Sequence, residues 1–150
     1  MSSKILTIGY ARATQDGVLS ALIDAGVEVL ADIRALPLSR RPGFSKTSLA
    51  EAIEQAGMQY RHFRHLGTPK EGRDAARRGD RGTLKRIYEG QLELPEALAQ
   101  MAELQALAQA KRTCLLCYCE ETADCHRALL IDAAFADWTC LDLHPHKGLS

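Results

Sequence analysis

Short apolar runs recur along this chain of 150 residues with a helix-length segment between successive runs, and that alternation leaves few folds open. Residues 4–10, KILTIGY, read as the first strand. Thr14 can N-cap a helix through Ala25, Gly26 supplies its left-handed stop, and VEVLADI at 27–33 is a nearly continuous apolar run of the kind buried on both faces of a sheet. The unit then repeats: Ser48-x-x-Glu51 has the capping-box pattern, the helix ends at Ala56-Gly57, and MQYRHF at 58–63 is a third strand. Ala21-Leu22 to Gly26 and Ala52-Ile53 to Gly57 share an A-[LI]-x-x-A-G echo, so one βα unit is used twice. Helices follow around Thr83–Gln91 and from Pro95 to Ala110, with proline suited to a first turn. RTCLLCYC at 112–119 is the most apolar strand, Cys125–Ala136 a helix, and TCLDLH at 139–144 a closing strand. The prediction is a single α/β domain with a mainly parallel sheet of about five strands and helices on both faces.

With 46% apolar residues the chain has ample material for one core. The N-terminal apolar run is broken by Gly9 and Arg12, and no later stretch approaches the ~20 apolar residues of a membrane span. A soluble, cytoplasmic protein without membrane partners is expected. Five cysteines should then stay reduced, as core residues, ligands or reactive thiols. Net charge is zero, which argues against a uniformly basic nucleic-acid surface, but the average hides a segregation. Between Arg61 and Arg86 nine Lys or Arg residues face only Glu71, Asp74 and Asp80, and Arg34, Arg40, Arg41 and Lys46 lie upstream. Either this region meets anions, or the glycine-interspersed EGRDAARRGDRG is a solvated, flexible loop.

Ligands of parallel α/β sheets bind beyond the carboxyl ends of the strands. There the sequence delivers Tyr10 and Arg12, Asp32 and Arg34, His62 with Arg64 and His65, Cys119 and Glu120, and His144. Asp32 and Arg34 are two apart on an extended segment and point to the same side. They form a local ion pair, or else Arg34 joins Arg40 and Arg41 of the loop ALPLSRRPGF in an anion-binding guanidinium cluster with Asp32 as base or orienter. Pro37 and Pro42 stiffen that loop.

CYCEETADCHR, residues 117–127, gathers thiols, carboxylates, an imidazole and a guanidinium. Cys114 and Cys117 face opposite sides of a strand, so Cys114 reads as a core thiol, whereas Cys117 and Cys119 share a face. Cys125 and His126 fall at a helix N-terminus, which lowers a thiol pKa, and Cys125 is the best candidate for a reactive thiol. No metal is expected from finger or ribbon spacing, yet Cys117, Cys119, Cys125 and His126 form a possible ligand set. Glu120 or Glu121 would do acid/base work while Arg34 and Arg127 hold substrate charge. Tyr60 and Trp138 read as core.

The series DIRALPLSRRPGFS, YRHFRHLGTP, LLCYCEETADCHRALLIDA and LDLH resembles, over nearly the whole chain, the bacterial family called domain of unknown function 488. The resemblance implies an α/β fold and places Asp32, Arg34, Pro37, Ser39, Arg40, His62, Leu66, Gly67, Cys125, His126, Arg127 and His144 on recurrent positions. Two departures stand out: Cys119 falls where the family often has glutamate, unless Glu120 takes that place, and TIGYA replaces a frequent TIGHS. The family name brings no reaction with it. The expectation is an enzyme that hydrolyses, or transfers a group of, a small or nucleic-acid-derived anion such as a nucleotide or modified base. Asp32, Glu120, Cys125 and His126 are its candidate catalytic residues, and Arg34, Ser39, Arg40, His62, Arg127 and His144 its candidate substrate ligands. The alternatives are a noncatalytic nucleic-acid binding module, and a metal or thiol-redox protein built on Cys117, Cys119, Cys125 and His126.

Overall fold

The structure, a computed structural model, describes residues 3–119 and 125–146. Five strands, β1 (Lys4–Gly9), β2 (Val29–Asp32), β3 (Gln59–His62), β4 (Thr113–Cys117) and β5 (Thr139–Leu143), form one sheet in the order β3-β2-β4-β1-β5. Every neighbouring pair is parallel. The α/β architecture expected from the sequence is therefore the one observed.

Helices α1 (Gln15–Asp24) and α2 (Lys46–Gln55) link β1 to β2 and β2 to β3. Between β3 and β4 come a 3₁₀ turn (Arg64–Leu66), α3 (Lys70–Arg77), α4 (Arg81–Leu92) and α5 (Pro95–Ala110), and α6 (His126–Ala134) precedes β5. The strand period of two divides the core. Leu6, Ile8, Leu30, Cys114 and Leu116 pack with Val18 and Leu22 of α1 and Leu49 and Ile53 of α2, while Ile5, Ala31, Leu115 and Cys117 pack with Tyr88, Leu104 and Leu130 of α4, α5 and α6. Helices thus cover both faces. Among the described residues no helix is long and apolar enough to cross a membrane.

Local signals acted unevenly. Thr14 caps α1 as its sequence suggests, accepting from the Gly17 amide at 3.0 Å, and Gly26 follows the helix at φ +71°. The Ser48-x-x-Glu51 box is a correction: α2 begins at Lys46 after Ser45, and Ser48 lies inside the helix, donating to the Ser45 carbonyl at 3.2 Å. Ser45 is not a side-chain cap either, because its hydroxyl instead accepts from the Ser39 amide at 3.1 Å across the preceding loop. The stretch EGRDAARRGDRG, weighed as a flexible loop, mostly forms α3 and the start of α4, joined at Gly79 with φ +73°. Tertiary packing explains this. Ala75 is fully buried, and a Cβ at Gly72 would lie 2.3 Å from Thr68 Cγ2 and 3.4 Å from Ile87 of α4, so the missing side chain is what lets these elements close.

Candidate functional site

At the carboxyl edge of the sheet, the chain leaves β2 for the face of α1 and α2, whereas it leaves the adjacent β4 toward α6 on the other face. Loops diverging from neighbouring strands open a crevice between them. A cleft of about 840 Å³ lies there, lined by the β2–α2 loop from Arg34 to Arg41, by Thr68, Arg73, Ala76 and Arg77, by Tyr10, and by Cys117, Tyr118, Cys119, Cys125 and His126. That volume suits a small molecule or a single nucleotide.

The wall from β2 rests on a buried ion pair. Arg34 donates through Nε and Nη2 to the two carboxylate oxygens of Asp32 at 2.8 and 2.7 Å, and through Nη1 to the Tyr10 hydroxyl at 3.0 Å and the Phe44 carbonyl at 2.6 Å. Four of the five guanidinium N–H groups are therefore engaged within the protein. Burial opposes the Arg34 charge, but the Asp32 hydrogen bonds and charge outweigh it and raise its pKa. Tyr60, read from sequence as core, also donates its hydroxyl to Asp32. Burial, then the carboxylate, pushes that phenol far above its ordinary range, so it remains a donor. Asp32 is fully buried and Arg34 keeps a single N–H for the cleft it lines: the local ion pair is what forms, and its product is the shape of the loop.

That loop is tied at several further points. His62 Nε2 lies 2.8 Å from the Arg34 carbonyl, so His62 braces the backbone behind the cleft. The Ser39 hydroxyl accepts from the Arg41 amide at 3.1 Å, and Arg41 Nε donates to the Ala13 carbonyl at 3.0 Å. Gly67 must be glycine for a steric reason, since a Cβ there would fall 2.1 Å from the Ala35 nitrogen. Arg40 is exposed on the cleft and has no hydrogen-bond or ion-pair partner among the described residues. Across from it, Arg73 donates to the Thr68 carbonyl at 2.9 Å and Arg77 pairs with Asp74 at 2.8 Å.

The floor holds the thiols. Cys117 ends β4 opposite Gly9, and Cys125 is the N-cap of α6. Sulfur of Cys117, sulfur of Cys125 and a ring nitrogen of His126 all lie within 4.8 Å of one another. His126 directs Nδ1 to Cys125 Sγ at 3.4 Å, and its Nε2 meets the Ile33 carbonyl at 2.8 Å, which fixes the N–H on Nε2. Burial lowers the His126 pKa and keeps the ring neutral. For Cys125, burial works against charge, but hydrogen bonds from Cys117 and Cys119 and the nearby Arg127 guanidinium prevail and hold its thiol well below the usual value. Cys117 moves the other way, raised first by burial. For Cys119 the bond with Cys117 lowers the pKa, but that with Cys125 and burial push it up to about 11.

Not every expected residue reaches the cleft. Arg34, Ser39, Arg40, Cys117, Cys119, Cys125 and His126 line it, with Asp32 and His62 directly behind. Arg127 is 1% exposed and is not among the lining residues: it donates to the Thr7 hydroxyl at 3.1 Å and the Cys119 carbonyl at 2.7 Å, beneath the floor. His144 lies just past β5, at the far edge of the sheet, and does not line the cleft. Glu120 and Glu121 lie outside the described residues. Sequence reasoning missed Thr68, and it missed Tyr118, which is 55% exposed at the mouth with its ring edge to Tyr10. It missed Tyr60 because that tyrosine's link to Asp32 depends on the β2–β3 register, Leu30 beside Tyr60 and Asp32 beside His62.

The model of the family described as "Domain of unknown function DUF488" matches residues 14–134, a span that contains the cleft lining apart from Tyr10. No curated protein and no solved structure matches the chain.

Proposed function

The chain belongs to the DUF488 family, a kinship that carries no reaction with it, and from the site itself we propose that it is an enzyme acting on a small anionic substrate by hydrolysis or group transfer. The observation that carries this proposal is one cleft with arginines on two walls and a thiol–imidazole cluster on its floor. Guanidinium groups bind phosphate or carboxylate through paired hydrogen bonds, and Arg40 and Arg77, both exposed on the cleft, are the principal contacts. Arg41 and Arg73 add charge from positions fixed by backbone carbonyls. Cys125 and His126 supply the reacting floor, while Asp32, through Arg34, acts as an orienter of the loop.

The half-exposed Tyr118 at the mouth, with the exposed Leu36 and Leu38 beside it, favours a substrate that has a planar or apolar body as well as charge, as a nucleotide or modified base has. The gathering of the arginines around one cleft of about 840 Å³ favours this reading over a nucleic-acid binding module, which needs an extended basic surface.

Calorimetric titration with inorganic phosphate, pyrophosphate and nucleoside monophosphates tests the proposal. Saturable binding that weakens about tenfold or more in the Arg40→Gln/Arg77→Gln variant is expected, from the loss of two charge-assisted contacts. Equal affinity in the variant and the parent protein would refute it.

A further inference from the structure

We infer that the floor of the cleft is a metal centre: Cys117, Cys125 and His126 hold one zinc-class divalent cation, with the fourth coordination position turned toward the cleft. This rests on the enzyme reading for its purpose, though not for its geometry.

The donor set comes first. Two thiols and an imidazole are the ligand types preferred by zinc, and three protein ligands with one open position are the pattern of catalytic rather than structural zinc. Their three donor atoms already lie within 4.8 Å of one another although they come from a strand end and a helix start. With Zn–S near 2.3 Å and Zn–N near 2.0 Å, a tetrahedral site puts its sulfur and nitrogen donors about 3.5 Å apart. Cys125 Sγ and His126 Nδ1 are separated by 3.4 Å.

The orientation of the imidazole is the second, independent observation. A metal-binding histidine characteristically donates its remote N–H to a carbonyl or carboxylate, which leaves the other nitrogen's lone pair for the ion. His126 does this through Nε2 and the Ile33 carbonyl at 2.8 Å, with Nδ1 facing the sulfurs. Ile33 directly follows β2, so the strand that begins the anion-binding loop also sets the imidazole.

Charge is the third. Two thiolates cancel a divalent cation, so the filled site adds no net charge to a buried floor, while the thiol protons pass to solvent on binding. Cys119 lines the cleft beside both thiols.

Cobalt titration of the reduced, chelator-stripped full chain is the test. The expected result is uptake of one equivalent, with thiolate-to-cobalt charge-transfer absorption and intense visible bands of a tetrahedral ion, all abolished by zinc. Cys125→Ser and His126→Gln should each weaken cobalt binding at least tenfold, whereas Cys140→Ser, at an exposed thiol outside the cleft, should leave it unchanged. X-ray absorption of the zinc-loaded parent protein should count two sulfurs and one imidazole from the chain, which protects the test if a variant fails to fold. No cobalt uptake by the folded protein, or a spectrum unaltered by both variants, would overturn the inference. Phosphate binding without metal uptake overturns the metal centre alone. Metal uptake without any anion binding overturns the enzyme proposal alone.

Discussion

Arg34 grips both carboxylate oxygens of Asp32 from two residues away, and the pair is almost wholly shut off from water, Asp32 at 0% and Arg34 at 6% exposure. The geometry is a bidentate fork within one extended turn of chain, made possible because residues two apart on a strand share a side. Removing one partner leaves the other charge buried and alone, which typically costs about 3–5 kcal/mol. Asp32→Asn should therefore lower unfolding free energy by roughly that amount in urea titration. The double change Asp32→Asn/Arg34→Met should recover part of it. Were Asp32→Asn to unfold like the parent, the pair would not be what holds the loop.

Tyr60 closes the same carboxylate from β3, and Tyr60→Phe removes only that hydrogen bond. Loss of a bond to a charged acceptor is worth about 1.5–3 kcal/mol. The expected variant is folded, with its urea midpoint shifted down by a corresponding amount; an unshifted midpoint would show that water replaces the phenol at no cost.

Gly67→Ala tests the contact between the turn after β3 and the loop after β2. Its Cβ would sit 2.1 Å from the backbone nitrogen of Ala35, and backbone cannot swing aside as a side-chain tip can. The outcome should be destabilisation of about 1–3 kcal/mol together with weaker phosphate binding, since the displaced loop carries Arg40. Parent-like affinity in a destabilised variant would separate loop position from binding.

Thr68 lines the cleft, and its hydroxyl is buried without a hydrogen-bond partner among the described residues. An unsatisfied buried hydroxyl contributes nothing to stability, so Thr68→Val should melt no lower than the parent chain. If it also weakens phosphate binding, the hydroxyl serves the ligand; a drop in melting temperature would instead reveal a structural bond.

Arg78 and Arg86 belong to the same basic run as Arg77 but do not line the cleft. Changing both to Gln should alter phosphate affinity by less than about twofold at physiological salt, where exposed charges are screened beyond roughly 8 Å. A loss comparable to that of Arg40→Gln/Arg77→Gln would point to an extended electrostatic surface and toward nucleic acid.

Those parts of the fold that depend on near neighbours were legible from residue order. Nearly continuous apolar runs separated by helix-length segments, the Thr14 cap and the Gly26 stop are local, and they specified a parallel α/β sheet with polar tips at the strand ends. The segregation of Cys114 from Cys117 was legible for the same reason, because alternation along a strand needs no knowledge of the partner strand. The tertiary structure alone decided the strand order, which sets β2 against β4 and so brings the arginine loop to the thiol floor. It turned Arg34 and Arg127 inward, since the Tyr10 and Thr7 hydroxyls offered buried acceptors that chain proximity does not reveal. It left His144 at the opposite edge and made a helix of a glycine-spaced basic stretch through packing on α4. Each of these outcomes rests on contacts between residues far apart in the chain, and residue type and spacing do not encode which distant partner will arrive.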